Sequence, residues 1–147
     1  SRGLGDVYKR QILFCQELDS KIEKSKFLAS KKIFHHPHKV LFNSRGFDLE
    51  VFTDYERDQI KLVSLFYRTD SQPRYREVPF SKTADRFSFR YDPLVNPTNY
   101  ITYFFTVELI NGSVLATPID SSGLLKPVTM NLVDPMKYFK ERAEGKF

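Results

Sequence analysis

YITYFFTVELING, residues 100–112, is the stretch whose reading decides the fold. In an extended chain Ile101, Tyr103, Phe105 and Val107 fall on one side, and Tyr100, Thr102, Phe104, Thr106 and Glu108 on the other. That is the period of two of a strand with one face buried. Asn111-Gly112 follows, a dipeptide that tolerates positive φ and signals a tight hairpin turn. The stretch therefore predicts a central strand, with Tyr103 and Phe105 in its core row and Gly112 in its turn.

Outward from this strand the same pattern repeats. Residues 33–36 and 40–42 read as one first strand broken by Pro37, which a sheet edge tolerates. Phe47, Leu49 and Val51 alternate with Asp48, Glu50 and Phe52, a half-buried second strand. Residues 60–68 carry apolar side chains on both faces, which places that strand deep in a sheet. Residues 75–80, with Pro79 at an edge, and Phe87, Phe89 and Tyr91 give two more. Residues 92–99 cross over to the central strand, 114–117 return as its hairpin partner, and 128–133 close the series. Seven or eight short strands at near-even spacing, with no helix between them, predict an all-β, two-sheet sandwich.

The bulk numbers agree. A chain of 147 residues with 14 Phe, 8 Tyr and no Trp favours strands. A single cysteine, Cys15, excludes an internal disulfide framework. The formal charge is +5; Arg2, Lys9 and Arg10 against Asp6 supply +2 of it within residues 1–11, leaving +3 for the rest. That balance favours solubility and points only weakly to an anionic partner.

The flanks differ in character. Residues 1–11, SRGLGDVYKRQ, resemble a translated sequencing adaptor and are set aside as a non-native leader. Residues 12–32 read as the remnant of a secretory signal or a linker, partly helical, with a capping-box signature at Ser20 and Glu23. Its lysines, Lys21, Lys24, Lys26, Lys31 and Lys32, are those of a solvated linker. Residues 134–147 form a charged tail, or the start of a following segment, with helical character and no capping residue at its end. No run approaches the length of apolar sequence that a membrane span needs.

Ordered motifs within residues 33–133 add a resemblance. Ile33-x-His35-x-Pro37 precedes Gly46-x-Asp48-Leu49, then Val63-x-Leu65-Phe66-Tyr67-Arg68, then Tyr103-Phe104-Phe105 with Gly112 beyond. This resembles the immunoglobulin-like, fibronectin-III-like β-sandwich modules of bacterial secreted and cell-envelope proteins. Leu109 stands where that pattern has an acidic residue, and Phe104 where it has a tyrosine. The resemblance implies an antiparallel sandwich of about seven strands, extracellular, periplasmic or in the cell envelope, serving as a spacer or interaction surface. It implies no catalytic set. Tyr100, just after Pro97, is placed like a tyrosine corner, whose phenol bonds back to the loop backbone.

Reaction chemistry finds little purchase. His36 and His38 are two apart on an edge, but Pro37 breaks the alternation and no cysteine pair completes a zinc set. No G-x-S-x-G elbow is present, and nothing selects a pair among Glu77, Asp85, Asp92 and Asp120. No catalytic, cofactor or metal residue is therefore assigned. Arginines beside aromatics, as in Arg74-Tyr75-Arg76, are the outer face of alternating strands rather than a nucleic-acid platform. The expected function is a non-catalytic interaction or spacer module whose partner is a protein or a neighbouring domain. The rival is an accessory carbohydrate-binding domain of a polysaccharide-active enzyme, with Phe52, Phe66 and Tyr75 as its ligand-facing aromatics. Deleting residues 1–11 is expected to leave the thermal midpoint unchanged; a large drop in a melting experiment would make them part of the fold.

Overall fold

The computed structural model describes Phe27 and residues 32–145. The leader at 1–11, Cys15, the Ser20–Glu23 capping box and the lysines before Lys32 lie outside the described residues. The described residues form nine strands in order: β1 (Ile33–Phe34), β2 (Leu41–Phe42), β3 (Phe47–Thr53), β4 (Ile60–Thr69), β5 (Arg76–Phe80), β6 (Phe87–Tyr91), β7 (Tyr100–Leu109), β8 (Val114–Thr117) and β9 (Val128–Val133). A 3-10 turn, Arg57–Gln59, precedes β4, and the one α-helix among the described residues, α1 (Pro135–Ala143), ends the series. The chain is mostly β.

The strands form two sheets. One is antiparallel, in the order β1-β3-β6; the other is mixed, in the order β2-β9-β7-β4-β5 with β8 also on β7. Strand β7 organises the larger sheet. Along one edge it pairs with β4 from Ile101 to Leu109. Its other edge is shared, Tyr100–Tyr103 with β9 and Phe105–Glu108 with β8. Ile101, Tyr103, Phe105 and Val107 are fully buried and share one apolar cluster with Leu49, Val51, Phe87 and Tyr91 of the smaller sheet. The two sheets thus pack across a single core.

The opposite face of β7 is buried as well, which its alternation does not foretell. Phe104 is 1% exposed, stacked on Phe66 at 5.0 Å and met edge-on by Tyr75 at 5.2 Å. Ala116, Leu125, Ile119 and Phe27 complete this second cluster. The Phe27 amide donates to the Gly123 carbonyl at 2.8 Å, fastening Phe27 to the β8–β9 connection.

Other expectations need correcting. The broken first strand is two strands in different sheets: β1 runs antiparallel to β3, whereas β2 runs parallel to β9. In the β7–β8 hairpin only Gly112 has positive φ, at 91°. The Gly112 amide bonds to the Leu109 carbonyl and the Leu109 amide to the Ser113 carbonyl. That is a three-residue loop with glycine at the left-handed position, a tight hairpin turn where the dipeptide places one. The tail does form a helix, and Gly145 at φ 75° follows its last residues, with its amide on the Arg142 carbonyl, so a terminator is present. Phe105→Ala is expected to cost about 3–5 kcal/mol in urea denaturation, the range for deleting a buried phenyl group. A loss below about 1 kcal/mol would remove this row from the core.

Candidate functional site

A groove of about 750 Å³ runs beside β9, lined by residues 129–133, by Lys39 and Val40 ahead of β2, and by Lys137, Tyr138 and Glu141 of α1. Its making can be followed from the sequence. In the antiparallel pair with β7, the Leu132 amide bonds to the Asn99 carbonyl. Hydrogen-bonding groups alternate sides along such a strand, so Thr129, Asn131 and Val133 turn theirs outward. The Val133 carbonyl does accept from the Asn43 amide on that outer side. Strand β2 is only two residues long and pairs Leu41 and Phe42 with Leu132 and Val133. Among the described residues, no strand continues that lane beside residues 128–131.

The far wall is α1. Asp134 caps it by accepting from the Met136 amide at 2.9 Å, and Pro135 occupies the first turn, where its missing N–H costs nothing. Phe42 sets the helix angle, with its ring 5.6 Å from Tyr138 and 5.8 Å from Phe139. The groove carries both signs of charge: Lys39 and Lys137 against Asp134 and Glu141.

Among the described residues none pairs along this lane, because His35 and His38 hold the chain ahead of Lys39 against β3. His35 Nδ1 lies 2.7 Å from the Glu50 carbonyl, and His38 Nε2 lies 2.7 Å from the Asp48 carbonyl. Both carbonyls belong to β3, beyond the two residues that β1 pairs. Imidazoles thus take the place of backbone along that edge. A carbonyl only accepts, so His35 carries its proton on Nδ1, and Nε2 accepts from the Tyr103 hydroxyl at 2.7 Å. One side chain therefore ties β3 of the smaller sheet to β7 of the larger. Burial pushes the His35 pKa down, the Glu50 carbonyl opposes this, and the charges of His38 and His36 add to the lowering. Burial pushes the Tyr103 phenol up, so it stays protonated and donating.

The remaining expected site residues are placed as follows. Tyr103 and Phe105 are in the inter-sheet core and Gly112 is in the hairpin loop. Tyr100 is half-buried, and the phenol that bonds back into the crossover is that of Tyr91, which donates to the Asn96 carbonyl at 2.7 Å. Phe52 is 48% exposed on the smaller sheet, whereas Phe66 and Tyr75 pack against Phe104 on the larger one. These three aromatics do not share a face. Arginines beside aromatics lie over the chain's own rings: Arg68 over Tyr75, Arg57 over Phe87 and Arg45 over Phe42, each within about 5 Å.

Three of the four carboxylates weighed above are engaged locally. Glu77 accepts from Ser64, Asp92 from the Leu94 amide, and Asp120 from Ser122 and the Leu124 amide. Hydrogen bonds from Ser122 hold Asp120 below the usual carboxylate range. Asp70, which no motif signals, joins the β4–β5 turn to the crossover through the Thr98 hydroxyl and the Asn99 amide and side chain. The Thr98 bond is the largest cause of its lowered pKa. Among the described residues no three His, Cys, Asp or Glu converge as a metal site would require, and no helix is long and apolar enough to cross a membrane. Compared with protein-family models, curated proteins and solved structures, the chain matches none.

The lowered His35 pKa has a definite sign. Unfolded His35 protonates near pH 6.5 while the folded one resists, so the unfolded chain binds the extra proton and folding weakens as pH falls below about 6.5. The urea midpoint is expected to drop between about pH 7 and about pH 5.5, and His35→Gln to flatten that slope. An equally steep slope in His35→Gln would assign the dependence to other groups.

Proposed function

We propose that residues 33–133 form an immunoglobulin-like β-sandwich that serves as a non-catalytic interaction or spacer module of a larger exported or cell-envelope protein. The observation that carries this reading is the groove at the β9 edge: a strand with outward-turned backbone groups, walled by a helix, is a surface for another polypeptide. The family-like residues support it through their structural work. His35 joins the two sheets, Tyr103 and Phe105 fill the core between them, and Gly112 turns the hairpin. Glu77, Asp92 and Asp120, weighed for chemistry, are spent on loop and strand contacts.

One observation favours the carbohydrate-binding alternative. Phe34 and Phe52 are cross-strand partners in β1 and β3 and are 38% and 48% exposed. Exposed rings on one sheet are what a sugar platform needs, although Phe66 and Tyr75 are not part of this pair. A glycan microarray probed with the chain and with Phe52→Ser separates the two readings. No saturable sugar binding is expected. Binding that Phe52→Ser abolishes would replace the interaction-module reading with the carbohydrate one.

A further inference from the structure

We infer that the lane along β9, which no described strand occupies beside residues 128–131, takes an extended peptide strand of low net charge, which continues the path of β2 and adds its backbone to the outer edge of those residues. The inference rests on the interaction-module reading and names the partner's chemistry. Its first support is continuity. Strand β2 already occupies this lane opposite Leu132 and Val133, so the lane has the width and direction of a strand. Upstream of Leu41 the chain would run on beside Asn131 and Met130, but the His35 and His38 bonds to β3 carry it to the other sheet. What is left is about 13 Å of strand edge, four residues at strand rise, with both pairing groups of Thr129 and the Asn131 amide turned toward the groove; the Asn131 carbonyl already faces the Leu41 amide of β2.

The second support is the chemistry of the walls. An added strand alternates its side chains between two faces. One set falls on the face of Met130, which packs against the inter-sheet core; the other falls beside the exposed Thr129 and Asn131. An incoming segment with apolar residues at alternate positions matches that division. Lys39 and Lys137 are offset by Asp134 and Glu141, so the groove has no net charge with which to select a polyanion or a polycation. Main-chain pairing supplies the affinity in such an arrangement, and the alternate side chains supply the selectivity.

The test pans a phage library of random linear dodecapeptides against the whole chain and titrates the most enriched peptide, made synthetically, into nitrogen-15-labelled protein. Thr129 and Asn131 are expected to show the largest amide shifts, and their hydrogen exchange is expected to slow by about tenfold or more at saturation. Thr129→Pro deletes an outward N–H and leaves the β7 ladder intact; it is expected to weaken the peptide by about tenfold with little change in melting temperature. Should that variant fail to fold, exchange at Thr129 in the unmodified chain decides the matter. Shifts centred away from β9 would overturn the edge assignment while leaving an interaction module. No enrichment above an uncoated surface would overturn the peptide itself. A peptide-free dimer in sedimentation equilibrium with a protected Thr129 amide would make the occupant a second copy of this chain and overturn the inference equally. Sugar binding on the microarray is the separate failure, that of the module reading.

Discussion

Strand β7 has to hide both of its faces and both of its edges at once, and the rest of the structure follows from that demand. An unpaired backbone group in a dry interior costs about 1–3 kcal/mol, so a ten-residue strand inside two apolar layers cannot leave an edge open. One edge is met by β4 along nearly its full length. No single strand meets the other; β9 covers its first part and β8 its last. Because β8 leaves the ladder where β9 enters, the connection between them is free to fold across Phe104, and Leu125 and Ile119 cover that face. Phe27 reaches the same patch from the other end of the described chain.

The second constraint is how the two sheets are kept in step. Apolar contact is non-directional and fixes distance better than register. The His35 imidazole adds direction. It reads a β3 carbonyl with one nitrogen and the Tyr103 hydroxyl with the other, and it packs against Tyr103 and Phe105 at 5.2 and 5.0 Å. In the neutral ring a protonated Nδ1 donates to the carbonyl while Nε2 accepts from the hydroxyl, so one imidazole serves both partners. Burial favours that neutral state. The same contact that aligns the sheets therefore makes their alignment sensitive to acid, and together with the His38 bond to Asp48 it steers the chain away from β9.

How far the sequence reveals this depends on how local each feature is. Strand positions were legible, because alternation within one strand is set by neighbours two residues away. The depth of β4 was legible for the same reason: Val63, Leu65 and Tyr67 on one face and Leu62 and Phe66 on the other require cover on both sides. The separation of β1 and β2 into different sheets was not, since partner choice is settled by residues about ninety positions apart, Leu41 with Leu132. Nor was the role of His35, whose phenol partner lies 68 residues on. His36 and His38 share the strand spacing of a ligand pair, whereas the fold spends His38, like His35, on a backbone carbonyl. The groove was half-written. Asp134-Pro135 is a helix-start signature, and the shortness of residues 40–42 between Pro37 and the Asn43–Gly46 turn marks a lane only partly filled.

An exposed strand edge is also a hazard, because it invites pairing with any extended chain, including another copy. The β9 edge carries the features that blunt such indiscriminate pairing. The lane beside residues 128–131 is only four residues long, helix α1 stands against it, and Lys39 and Lys137 flank it. A bulky sheet edge would have to displace the helix to dock, and Phe42 braces that helix through Tyr138 and Phe139. A single extended segment needs no such displacement. The device that keeps the edge from aggregating therefore also selects the shape of what can enter: one strand, narrow enough to lie between helix and sheet. On the proposed reading, protection and recognition are the same geometry: a groove beside a partly filled lane rather than an open flat edge.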